Sequence, residues 1–119
     1  MFKFEKLEVW QKAVDYADLI YQVTRSFPSE ERFGLTSQLR RSAVSVSSNI
    51  AEGSSRSSDT DLARFIEISY GSLLESVSEL QIAKRQQFLN SGMFEQVYAN
   101  AENLAKMLSG FRRTLKKGP

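Results

Sequence analysis

The sequence contains no cysteine and no histidine. Those absences exclude disulfides, structural zinc of the Cys/His kind, histidine-held haem, and every triad built on an imidazole or a thiolate. A di-iron bundle goes with them, because it needs Glu-x-x-His. Proline is nearly absent: Pro28 is the one interior break and Pro119 is terminal. No apolar run is long enough to cross a bilayer, and no charged-then-apolar leader with a cleavage site is present. Neither a membrane span nor a secretory signal is expected, and the expected location is the cytoplasm. Strand signals are weak. The alternation Ala43-Val44-Ser45-Val46-Ser47 is short and fits a helical pattern on both sides.

What is present is an ordinary globular balance of 41% hydrophobic and 25% charged residues over 119 positions, the size of a single domain spanning 1–119. The net charge of +2 is unevenly placed. Arg112, Arg113, Lys116 and Lys117 lie in the last eight residues, and the rest of the chain has twelve basic against fourteen acidic groups. Such a tail either anchors nucleic acid or complements the negative end of a helix dipole.

Apolar residues at steps of three and four predict four helices. The first runs from about Glu5 to Ser26, with Trp10, Ala13, Val14, Ala17, Ile20 and Tyr21 on its stripe, and ends at Phe27-Pro28. The second runs from Leu35 to Glu52, with Leu35, Leu39, Ala43, Val46 and Ile50 inward and Gly53 placed to cap it. Ser58, three residues before Asp61, opens the third, Asp59 to Phe88, whose inner face is Leu62, Phe65, Ile66, Ser69, Leu73, Val77, Leu80 and Ala83. Asn90-Ser91-Gly92 separates it from the fourth, Met93 to Leu115, where Val97, Ala101, Leu104, Leu108, Phe111 and Leu115 form a heptad seam. The expected fold is all-α, an up-down-up-down antiparallel four-helix bundle. Gly71 lies inside the third helix, where glycine costs about 1 kcal/mol relative to alanine. Close approach of the second helix or a kink would account for it.

Two polar constellations stand out. On the second helix Gln38, Ser42, Ser45, Asn49 and Glu52 recur at helical spacing beside the apolar stripe, and the third offers Arg64, Ser72, Glu75 and Glu79 opposite. The expected structural polar network is Gln38, Ser45, Asn49, Glu52, Ser72 and Glu75, with Gln38, Asn49 and Glu75 buried; a polar ligand groove is the other reading. The second constellation is basic. Arg40 and Arg41, with Arg56 and Arg64, would gather at one region of the surface, supplemented by Arg112, Arg113, Lys116 and Lys117. Arginine suits phosphate through its planar fork, and without interleaved aromatics such a surface favours backbone contact over base reading. Salt bridges to Glu52, Asp59 or Asp61 are the plain alternative. Carboxylates at Glu5 and Glu8, Asp15 and Asp18, and Glu75 and Glu79 lack the ligand types of a convincing metal centre, so neither a cofactor nor a metal is expected.

Several blocks together carry a family resemblance: Leu7-Glu-Val-Trp10-Gln-Lys-Ala13, Phe27-Pro28, Phe33-Gly34-Leu35-Thr36-Ser37-Gln38-Leu39-Arg40-Arg41, Asn49-Ile50-Ala51-Glu52-Gly53, and Gly71-Ser72-Leu73-x-Glu75. The chain resembles the four-helix-bundle proteins named for the intervening sequences of bacterial 23S rRNA genes, a family that includes the accessory variability proteins of diversity-generating retroelements. The resemblance implies a compact bundle that assembles as a ring, commonly a pentamer, with no established catalytic activity. For the retroelement relatives it implies nucleic-acid and reverse-transcriptase binding through a basic surface.

The expected function is therefore a non-enzymatic oligomeric bundle that binds structured RNA or a nucleoprotein partner through arginines. A protein-assembly module without nucleic-acid binding is the alternative, and a metal-dependent nucleotide hydrolase using Asp15 and Glu75 a third. Self-association also follows from the residues. Phe2, Phe4, Leu7, Val9 and Leu19 at the first helix, Ile68, Tyr70, Leu74 and Ile82 on the third, and Phe94, Tyr98 and Met107 on the fourth fall off the main stripes, and large contiguous apolar faces mark interfaces.

Overall fold

A computed structural model describes the backbone of residues 1–116 and the side chains of residues 1–115. Four helices follow in order: α1 (Glu8–Thr24), α2 (Leu35–Ser54), α3 (Asp59–Arg85) and α4 (Ser91–Lys116). Short 3-10 turns at Lys3–Lys6 and Ser29–Glu31 flank α1. No strand occurs among the described residues. Each helix packs on its neighbours in sequence and α4 closes back on α1, which makes the up-down-up-down four-helix bundle, 50 Å long and about 22 Å across.

The joints have local causes. Phe27, which precedes Pro28, turns into the core and meets the Phe88 ring at 5.6 Å. The Leu35 amide at the start of α2 donates to Glu31 Oε1 at 3.1 Å. Ser58 Oγ accepts the Asp61 amide at the start of α3, and Asn90 Oδ1 accepts the Met93 amide at the start of α4. At the end of α3 the Phe88 amide reaches back to the Ala83 carbonyl and the Gln87 amide to that of Lys84. That is a Schellman close, and it puts Gln87 at φ 65, in the left-handed region.

The core confirms the inward stripe of α2 in full and corrects that of α1. Val9, Ala13, Tyr16, Ala17, Ile20 and Val23 are buried, whereas Trp10 and Val14 are half-buried and Tyr21 is exposed. The buried face is turned toward Tyr16, a residue whose hydroxyl finds a partner across the bundle. Phe94 also lies inside rather than on an outer face. On α3, Leu62, Phe65 and Val77 flank the core while Ala63 and Ser76 enter it.

Two glycines depart from their expected roles. Gly53 does not cap α2. It lies within the helix, and a β-carbon there would stand 2.6 Å from Phe65 Cβ, so α3 packs too closely at this point to admit a side chain. Gly71, expected to admit a neighbouring helix or mark a kink, has open space where a β-carbon would stand, with nothing across from it within 4 Å.

Candidate functional site

The polar network exists but is built largely from other residues. Tyr16 and Ser76 hydroxyls lie 2.7 Å apart in the core. Ser76 donates its proton to the Leu73 carbonyl, so Tyr16 is the donor to Ser76. Ser69 donates to the Val46 carbonyl at 2.8 Å. Ser42 donates to Glu79 Oε1 at 2.8 Å, and Ser45 and Ser72 hydroxyls meet at 2.9 Å. The first bond ties α1 to α3, and the other three fix the register of α2 against α3. Asn49 is only half-buried, and its amide donates to Ser45 Oγ and to the Ser45 carbonyl, within its own helix. Gln38, Glu52 and Glu75 are exposed, contrary to the expected burial of Gln38 and Glu75. The longer side chains reach solvent; the short serines fit between closely packed backbones.

Among the described residues Glu79 is the one buried carboxylate, 8% exposed. Loss of hydration raises its pKa, the Ser42 hydroxyl opposes that rise, and the nearby Glu75 carboxyl adds to it. Burial pushes the Tyr16 phenol up to about 12. Both groups lie between packed helices, where they hold the bundle in register, and Tyr16 has no route to a substrate.

The arginines do not form one surface. Arg41 lies about 20 Å along α2 from Ser54, so the bundle separates Arg40 and Arg41 from Arg56, Arg64, Arg112 and Arg113, which gather at its other end. There, Arg56 bridges Glu52 at 3.6 Å and covers the Phe65 ring, and Arg112 pairs with Glu67, its Nε donating at 2.7 Å. Arg64 and Arg113 are exposed. The Lys116 side chain and Lys117 lie outside the described residues.

At the α1–α2 end the arrangement differs. An open groove of about 890 Å³ runs along the outer side of α2, lined by Arg32, Arg40 and Arg41, by Thr36, Ser37, Ser45 and Ser48, and by Tyr21, Phe33 and Val44. No carboxylate lines it. Arg40 is held in place: its Nε donates to Thr24 Oγ1 at 2.9 Å, and its guanidinium lies 4.5 Å from the centre of the Tyr21 ring. Arg41 is exposed, and no ion pair among the described residues neutralises any of the three arginines. A cluster of cations and hydroxyl donors with no internal counter-ion suits a phosphate chain.

Sequence reading identified Arg40 and Arg41 but missed Arg32, Phe33, Tyr21 and Ser48. The last two follow from placing α1 on α2, which is long-range information. The Arg32-Phe33 step in a turn was the available local signal, since an aromatic beside a cation in a loop is a recognition pattern.

Asp15 and Glu75 are exposed on different helices, and Asp15 faces Lys12, Asn100 and Asn103 beside α4. Among the described residues no three His, Cys, Asp or Glu side chains gather where they could hold a metal ion. No described helix is long and apolar enough to cross a membrane.

A family model described as 23S rRNA-intervening sequence protein matches residues 5–110. The crystal structure of a protein with unknown function from the S23 ribosomal protein family of Bacteroides thetaiotaomicron VPI-5482 is similar in fold, with a TM-score of 0.81 at 21% identity over 87% of this chain and 97% of that one. No curated protein matches the sequence.

Proposed function

On the premise that the chain belongs to the family of 23S rRNA-intervening sequence proteins, we propose that it is a non-enzymatic, self-assembling bundle that binds RNA through the groove of Arg32, Arg40 and Arg41. One observation carries the reading: three arginines and four serine and threonine residues share a groove that no carboxylate lines. The basic group at the opposite end is weaker ground, because Arg56 and Arg112 are already paired with carboxylates. Phosphate contacts of this kind position a nucleic acid without reading its sequence. An RNA partner fits a cytoplasmic location.

The test is RNA binding by the double variant Arg32→Glu and Arg41→Glu, both exposed positions whose change leaves the core untouched. Affinity should drop at least tenfold at low salt, with an unchanged helical circular-dichroism spectrum. Affinity that survives the double reversal removes the groove from this role and moves the contact to another surface, whereas a wild type that binds no RNA leaves the protein-assembly reading.

Self-assembly has separate support. Ile68, Leu74 and Ile82 on α3 are 48%, 51% and 49% exposed. The uncovered aliphatic surface outside the groove thus lies on α3, not on α1 and α4, where Val9 and Phe94 are buried. A second copy covering α3 would bury it, and a ring satisfies such a face without leaving an open end. Five is the count the family resemblance favours. Light scattering across a dilution series checks it: a protomer mass at every concentration would rule out assembly.

A further inference from the structure

We infer that the groove takes unpaired nucleotides, with a base stacked on Phe33 and the adjoining phosphates on Arg41 and Arg40. The inference rests on the RNA-binding reading and specifies the form of RNA.

Phe33 carries the argument. It is 88% exposed, the most exposed aromatic of the chain, in the turn just before Gly34 and α2. Apart from Phe2, every other phenylalanine is at least partly buried. Phe4 packs on Trp10, Phe27 on Phe88, and Phe94 on Tyr98. Phe33 has no such neighbour. The Arg32 guanidinium lies 5.2 Å from its ring centre, over one face, which leaves the opposite face to solvent. Within the chain the Arg32 guanidinium covers only that one face. The other face suits a stacking platform, because any base presents a π-face to it.

The surroundings select the same ligand. A duplex keeps its base faces inside the stack, so a ring beside its backbone gains little. An unpaired strand offers both a base face and a flexible backbone. Arg41 lies about 9 Å along the helix axis from Leu35, so ring and cation address neighbouring nucleotides. Arg40, immobilised on Tyr21 and Thr24, loses little freedom when a phosphate arrives. Ser37 and Ser48 add hydroxyls that match phosphate or ribose oxygens. The combination of a cationic groove and an exposed ring is that of single-strand binders, where affinity is tolerant of sequence.

The experiment is fluorescence anisotropy of the whole chain with a labelled ten-nucleotide oligouridylate and with a duplex RNA of the same length. Wild type should bind the single strand at least tenfold more tightly. Phe33→Ala should weaken single-strand binding about tenfold and leave duplex binding nearly unchanged, and Phe33→Trp should restore it. Equal affinity for both RNAs, with no effect of Phe33→Ala, overturns this inference and leaves the RNA-binding reading standing. Absence of binding to either RNA overturns both. Loss of binding by Phe33→Ala together with dissociation of the assembly in light scattering assigns the ring to a contact between copies, and overturns the inference as well.

Discussion

Glu79 ties the stability of this fold to pH through its burial. Its pKa is raised above the ordinary 4.5, first by burial. The folded state therefore holds that proton more tightly than the unfolded state does, and the contribution to stability is largest in acid. It falls as pH rises from the ordinary value through the folded one. Glu79→Gln keeps an acceptor for the Ser42 hydroxyl and removes the charge, so it should raise the melting temperature at neutral pH and flatten its dependence between pH 4 and 7. A thermal-melt series at several pH values checks this; equal slopes for both proteins would contradict it. Ser42→Ala acts in the other direction, leaving a buried carboxylate without its donor at a cost of about 1–3 kcal/mol. Tyr16→Phe should cost about 1 kcal/mol, because one buried hydrogen bond to Ser76 is lost while Ser76 keeps its own acceptor. Asn49→Ala should cost less than either, since its bonds are local to α2.

At the scale of the element, two glycines in similar helical contexts should answer oppositely to the same change. Gly53→Ala forces a β-carbon to 2.6 Å from Phe65 Cβ and should destabilise the bundle by about 1–3 kcal/mol. Gly71→Ala meets open space and should stabilise the isolated protomer by about 1 kcal/mol through helix propensity. Chemical denaturation of both variants gives the comparison, and a destabilised Gly71→Ala protomer would be the contrary result. The helices themselves were legible because 3.6-residue periodicity and joint chemistry are local. The stretches at Pro28 and Asn90 broke the chain where expected, and α2 showed its inward face plainly. The roles of the glycines were not legible, because they depend on which helix lies opposite. The same reason hid Tyr16: a polar tip read it out of the apolar stripe, and only Ser76 on α3 makes its burial tolerable.

For the whole molecule, the candidate site was half legible. Arg40 and Arg41 could be read as a basic pair from their own helix. Their separation from Arg56 and Arg64 could not, because it depends on rise along α2 and on which ends of the bundle the joints occupy. Nor could the grouping of Arg32, Phe33 and Tyr21 around them. The proposed RNA-binding surface runs along the outer side of α2, and the proposed assembly face is formed by the exposed aliphatics of α3. The central claim is that Arg32, Arg40 and Arg41 neutralise phosphates. The most direct measurement is RNA affinity as a function of salt for wild type and Arg41→Ala. Each neutralised phosphate releases counterion, so log affinity should fall linearly with log salt with a slope of about −2 to −3 for three contacts. Arg41→Ala should make the slope shallower by about 0.7–0.9. An affinity independent of salt, or a slope that Arg41→Ala leaves unchanged, would contradict the account.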